Sequence, residues 1–159
     1  MRKTTTQKIP AIGEGKRGDQ AYLGYLLRQA NTAYRARMEK ALADIDITPP
    51  QFSVLTMLAA YPGLSNADLA RLSLLTPQTV SVIVNNLEKS GALSRRPHAV
   101  HGRIQHLDIT DEGKALLQSC KQRVNQVERE LASHLHPDEA AVVRRWLIAI
   151  ALDTGPAAD

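Results

Sequence analysis

Residues 76–86 read TPQTVSVIVNN, a row of amides and hydroxyls set against a strict apolar period. Val80, Ile83, Val84 and Leu87 fall at i, i+3, i+4 and i+7, which predicts a helix with these four side chains facing a core. The opposite face then carries Gln78, Ser81, Val82 and Asn85, with Thr79 and Asn86 at its edges. No charge stands on that face. A carboxamide offers a donor beside an acceptor, which matches the adenine edge in a DNA major groove. Hydroxyls serve base edges or phosphate, and a valine methyl meets a thymine methyl. Thr76 caps this helix and Pro77 occupies its first position, where a missing N–H costs nothing. The chemistry this pattern fits is the reading of base edges.

The basic residues that could accompany such a helix follow it. Arg95 and Arg96 stand in a strand-like segment, 92–96, and Arg103 starts a second one, 103–109. PHAVHG lies between them, so the two read as a hairpin. Arg103, with Gly102 before it and His101 nearby, is placed to enter a minor groove. Ser65, Arg95 and Arg96 are placed for phosphate contact, or the arginines hold the hairpin through acidic partners. His98, His101 and His106 fall within nine residues, and three imidazoles are a possible zinc set. They have no cysteine or carboxylate beside them, so solvent or phosphate contact is the plainer role. Cys120 falls on the apolar stripe of a long helix and reads as a small buried hydrophobe. The chain has no glycine-rich phosphate loop, no G-x-S-x-G and no H-E-x-x-H, so it reads as a non-enzyme without a cofactor.

The elements that must position these residues are mostly helical. A first helix is expected from Asp19 to about Asp44, on the three/four spacing of Leu23, Leu26, Leu27, Ala30, Tyr34, Met38, Ala41 and Leu42. Thr48-Pro-Pro-Gln51 is a capping-box start. Phe52, Leu55, Leu58 and Ala59 are its expected buried stripe, and Tyr61-Pro62-Gly63 its end. Ser65-Asn-Ala-Asp68 starts a short helix burying Leu69 and Leu72, and the 76–89 helix follows. After the hairpin, Thr110 caps a helix to about Leu135, striped by Leu116, Leu117, Cys120, Val124, Val127 and Leu131. Pro137 opens a last helix. The order is four helices, a hairpin and two helices: mostly α with a small β-hairpin wing, a winged helix-turn-helix between terminal helices.

With 159 residues, 43% apolar and 23% charged, the chain suits one globular domain. It contains no apolar run of membrane-spanning length. The start, MRKTTTQKIPAIGEGKRG, lacks the apolar core of a signal peptide, and a single cysteine excludes a disulfide framework. A cytoplasmic protein is expected. Net charge is +4, and residues 1–18, with five Lys/Arg and one Glu, carry all of it. They read as a flexible basic tail, and the remainder is neutral overall, so bulk charge says little about nucleic acid.

The stretch ITPPQFSVLTMLAAYPGLSNADLARLSLLTPQTVSVIVNNLEKSGALSRR, followed by GRIQHLDITDEGKALL, resembles the MarR (multiple antibiotic resistance regulator) family of transcription factors over about residues 20–150. The likeness rests on the Thr-Pro-x-Gln-Phe start, the Asn-Leu-Glu-x-x-Gly-Ala-Leu turn into Arg-Arg, and the Leu-x-Ile-Thr-Asp-Glu-Gly ending. It implies a homodimer joined through the terminal helices, 19–48 and 111–159, each subunit offering residues 49–110 to a pseudo-palindromic operator on double-stranded DNA. Apolar stripes on the terminal helices, wider than the small central unit could cover, independently call for a partner surface. The resemblance also implies a repressor released by a small aromatic effector, for which Tyr25, Tyr34, Phe52 and Trp146 are the candidate lining. Family members carry Asp-x-Arg in the wing; here His101 and Arg103 stand at those positions, so the arginine is kept and the aspartate is not. Redox-sensing members place a cysteine near the start of the first helix, where this chain has none. Two other readings of the residues stand beside this one: a winged-helix interaction module that has lost DNA binding, and a metal sensor built on the wing histidines.

Overall fold

The computed structural model describes residues 9–97 and 105–152. Two compact units divide the chain, 1–40 and 41–159. In the first, a 3-10 turn at Gly15–Arg17 precedes α1 (Leu23–Leu42), whose last two residues belong to the second unit. The helix starts four residues later than Asp19. Residues 13–18 are folded back on themselves: the Gly13 N–H donates to the Arg17 carbonyl at 3.1 Å, and the Gly18 N–H to that of Gly15 at 3.0 Å.

The second unit holds a 3-10 turn (Ala43–Ile45), α2 (Pro49–Ala60), α3 (Asn66–Ser73), α4 (Pro77–Lys89), β1 (Leu93–Pro97), β2 (Gln105–Ile109), α5 (Asp111–Ala132) and α6 (Pro137–Leu152). α2, α3, α4 and α5 each begin on their sequence signal, whereas β1 is shifted one residue from the expected 92–96 and the expected start of β2 at Arg103 lies outside the described residues. Thr48 and Gln51 complete both halves of a capping box on α2. Ser65, Thr76 and Thr110 each accept from the backbone N–H three residues on, at the starts of α3, α4 and α5. Such caps contribute about 1 kcal/mol each.

α2 is the central helix and packs against α3, α4, α5 and β2. Its buried residues are Val54, Leu55 and Leu58; Ala59 is exposed and Phe52 is half-buried against the same core. The inner face is thus rotated toward Val54 relative to the expected stripe, because helices pack on two sides of α2 instead of one. α3 buries Leu69, Ala70 and Ser73, while Leu72 is exposed. α4 buries Val80, Ile83, Val84 and Leu87. Ala92, Leu93, Leu107 and Leu117 close the core from the hairpin and α5.

β1 and β2 pair antiparallel, with Arg95 opposite Leu107 and Arg96 opposite His106. β2 is also bonded on its other edge, through a bridge of Leu64 with Leu107. The Gly63 N–H donates to the Leu107 carbonyl at 3.1 Å, and the Leu107 N–H to that of Leu64 at 2.9 Å. The wing is therefore fastened to the loop before α3 as well as to its own strand. At its far end, Gly91 (φ 78°) turns the chain out of α4, and the Thr110 hydroxyl donates to the Gly91 carbonyl at 2.6 Å. A Cβ at Gly113 would collide with the Ala92 carbonyl oxygen, so a glycine in the first turn of α5 lets that helix meet the wing base.

α5 ends at Ala132, three residues short of Leu135, with Ser133 as its cap. α6 has no fully buried residue, and Val142, Trp146, Leu147, Ile148, Ile150 and Leu152 are exposed. Among the described residues, no helix is long and apolar enough to cross a membrane.

Candidate nucleic-acid interface

α3 and α4 form the two helices of a helix-turn-helix, joined through Leu74 in the left-handed conformation (φ 55°). On the outer face of α4, Pro77, Gln78, Thr79, Ser81, Val82, Asn85 and Asn86 are all exposed, as is the cap Thr76. Their local bonding differs, and this decides what each can offer a ligand. Gln78 has no side-chain partner among the described residues, so both halves of its amide are available. Val82 is 57% exposed and is the apolar element of the row. The Thr76 and Thr79 hydroxyls are paired at 2.8 Å, and the Thr79 N–H donates to Thr76 Oγ1 at 3.2 Å.

Ser81 donates its proton to the Pro77 carbonyl at 2.9 Å and accepts from Asn66 Nδ2 at 2.9 Å. Its hydroxyl is therefore engaged within the protein, and its oxygen is the point where α3 grips α4. Ser65 is similarly engaged. It accepts from the Asp68 N–H at 3.2 Å and donates to Asp68 Oδ2 at 2.6 Å. That bond, with the Arg71 ion pair beside it, holds the Asp68 carboxyl below its ordinary range.

Both strand arginines have protein partners, Arg95 half-buried and Arg96 exposed. Arg95 lies across the end of α4: Nε is 3.0 Å from Glu88 Oε2, one terminal nitrogen donates to the Asn85 carbonyl oxygen, and the other donates to Gln105 Oε1 at 3.4 Å. One guanidinium thus joins α4, β1 and β2. Arg96 pairs with Asp108 across the hairpin. The Arg96 hydrogen bond is the main cause that lowers the Asp108 carboxyl, partial burial opposes it, and the same bond raises the arginine. His106 points its Nδ1 at the Gly63 carbonyl, which fixes that ring against the loop before α3. His98, His101, Gly102 and Arg103 lie outside the described residues, so neither the minor-groove contact nor the histidine metal site has a described geometry. Among the described residues, no group of three His, Cys, Asp or Glu is placed to hold a metal ion.

An open cleft of about 530 Å³ runs between the start of α3, the face of α4 and the wing. Ser65, Asn66, Ser81, Asn85, Arg95 and Gln105 give it polar walls, and Val84 and Leu107 line its floor. Phe52 and Trp146, two of the aromatic residues expected to line an effector pocket, do not border it. Tyr25 and Tyr34 lie on α1 and are half-buried; Phe52 packs on the core; Trp146 is 38% exposed on α6. Cys120 is fully buried, and burial pushes its thiol up, which removes thiolate character.

These elements define a winged helix-turn-helix, and comparison with known proteins places it. A sequence model of the MarR family matches residues 45–104. HTH-type transcriptional repressor Rv2887 of Mycobacterium tuberculosis is 32% identical over 135 residues, covering 85% of this chain and 97% of the relative. The chain belongs to the MarR family. Among solved structures, the transcriptional repressor CouR bound to a 23-mer DNA duplex superposes with a TM-score of 0.76 at 29% identity, over 82% of this chain and 92% of that one. The Mycobacterium tuberculosis Rv2887 complex with salicylic acid gives 0.66 at 32% identity, over 83% and 98%.

Proposed function

We propose that this chain is a homodimeric, cytoplasmic transcriptional repressor that binds a pseudo-palindromic operator and is released by a small aromatic acid. The observation that carries this reading is the outer face of α4. It presents an uncharged row of amide, hydroxyl and methyl groups to solvent, and Arg95 fixes it to the wing beside it. A helix in that position of a helix-turn-helix lies in the major groove with its N-terminal residues toward base edges. Gln78, Thr79 and Val82 are the base readers, with Asn85 one turn further on. Thr76 and Pro77 belong to the same recognition set, at the N-terminus of α4. Arg103 and His101 belong to the minor-groove wing. Residues 49–110 form the DNA-reading part, and 19–48 with 111–159 the dimerisation part, where the exposed apolar face of α6 is covered by the second copy. The tail 1–18 adds nonspecific attraction for DNA. The reading as a regulator and not an enzyme is supported by relatives that are transcriptional repressors.

The effector class follows from the relative crystallised with salicylic acid. Tyr25, Tyr34, Phe52 and Trp146 remain the proposed lining. The test is selection of bound fragments from genomic DNA with the full chain, followed by titration of salicylate onto the enriched duplex. Enrichment of one sequence with two-fold symmetry, and its release by salicylate, are expected. Failure to enrich any sequence would favour a protein-interaction module instead.

A further inference from the structure

Three consecutive residues of β2 close on one loop glycine. The Gly63 N–H donates to the Leu107 carbonyl at 3.1 Å and to the Asp108 carboxylate. The Gly63 carbonyl faces Nδ1 of His106, a half-buried ring. A carbonyl only accepts, so Nδ1 carries the proton whether the imidazole is neutral or charged. Side chains alternate across a strand, and residues paired across a hairpin share a face. Arg96, His106 and Asp108 therefore stand on one face of the wing, and Arg95, Gln105 and Leu107 on the other. Arg95 ties its face to α4 through Glu88 and Asn85. His106 ties the opposite face to the loop before α3, with the Arg96–Asp108 pair beside it. A two-stranded hairpin is marginal by itself; this one is gripped from both faces.

We infer that His106 is a positioning residue for DNA binding: through its bond to the Gly63 carbonyl it holds the wing at a fixed pitch to α4, so that wing and recognition helix meet the duplex together. The inference rests on the reading of α4 as the DNA-recognition helix and adds a role for a residue that itself touches no DNA. The imidazole reaches from the strand to the carbonyl side of the glycine, and so stops β2 from rocking about its backbone bonds at Leu107. Ordering of the wing is then completed in folding, and binding does not have to supply it. His106 is thereby set apart from the zinc and phosphate roles that its spacing from His98 and His101 suggests: its Nδ1 is turned to the protein's own backbone.

The test uses the full-length protein on the operator that wild type enriches, with His106→Ala, His106→Asn and His106→Gln beside it. An asparagine amide nitrogen falls at the place of Nδ1, and a glutamine amide nitrogen at the place of Nε2. His106→Ala should bind about two- to tenfold more weakly, the worth of one net hydrogen bond. Its hydroxyl-radical footprint should lose protection outside the bases that α4 reads, while its base preferences in a randomised library stay those of wild type. His106→Asn should restore both affinity and footprint, and His106→Gln neither. Both of these keep a polar side chain on the strand, so the comparison reports even if His106→Ala loosens the fold. Equal behaviour of His106→Asn and His106→Gln would overturn the inference, as would a wild-type footprint for His106→Ala. Protection lost evenly across the half-site by His106→Ala and His106→Gln would also overturn it, since that marks a general loss of the folded state. Enrichment of no sequence by wild type would overturn the DNA-reading assignment, and the inference with it.

Discussion

Asn66 Nδ2 donates to Ser81 Oγ across 2.9 Å, joining residues fifteen apart in sequence and fixing the first turn of α3 on the second turn of α4. The same serine donates back to the Pro77 carbonyl, so the contact is held from both ends. A net hydrogen bond of this kind contributes about 0.5–1.5 kcal/mol. Asn66→Ala and Ser81→Ala should each lower stability by about that much in urea denaturation, and the double variant should cost less than the sum of the two. Strict additivity would show that the two side chains do not support one another.

Leu74 sits at φ 55° and is 91% exposed, so it carries left-handed strain without any burial in return. That conformation costs a non-glycine residue about 1–2 kcal/mol; glycine loses about 0.5–1 kcal/mol of the gain through its greater freedom when unfolded. Leu74→Gly should therefore stabilise the protein by about 0.5–1 kcal/mol, and Leu74→Val should destabilise it. Thermal midpoints of the two variants check the sign. A lower midpoint for the glycine variant would mean that the leucine side chain has a stabilising role that its exposure hides.

The winged-helix core was largely readable from the sequence because its signals are local. Thr76, Pro77 and the Val80–Leu87 period place α4 at Pro77–Lys89, with the four expected residues buried. The capping box at Thr48 and Gln51 did the same for the start of α2. Readings that needed tertiary context were less good. Leu72 was expected inside and is exposed, because α3 offers Ala70 and Ser73 to its neighbours. The Arg95–Asn85 and Asn66–Ser81 contacts, and the Leu64–Leu107 bridge, join residues ten or more apart and leave no periodic trace. At Arg95 and Arg96 the alternatives were phosphate contact or acidic partners; the folded chain pairs both with carboxylates.

Arg96 and Asp108 also set an acid limb of stability. Pairing lowers the Asp108 carboxyl from its ordinary value of 3.8. A lowered carboxylate stabilises the fold fully above the unfolded value, and the contribution is lost as pH falls through the lower folded value. Wild type should therefore exceed Asp108→Asn by a constant margin from neutrality down to about 3.8, and the margin should shrink below it. Chemical denaturation at a series of pH values reads this directly. A margin that grows on acidification would contradict the assigned sign.

On α6, Leu147 and Ile150 are 40% and 38% exposed and lie one turn apart. Covering a side chain of this size is worth about 1.5–3 kcal/mol when complete, and a two-fold interface counts each residue twice. Leu147→Glu with Ile150→Glu should convert a dimer to a monomer at micromolar concentration, read by light scattering. An unchanged dimer mass would place the interface elsewhere.

The central claim is that α4 reads bases, and Gln78 is its most available reader. The decisive measurement is the affinity of wild type and Gln78→Ala for the enriched operator and for a duplex of random sequence at the same salt concentration. If Gln78 makes a two-point contact with a base, the variant loses about 1–3 kcal/mol on the operator and much less on random DNA. Equal losses on both duplexes, or none on either, would contradict the account.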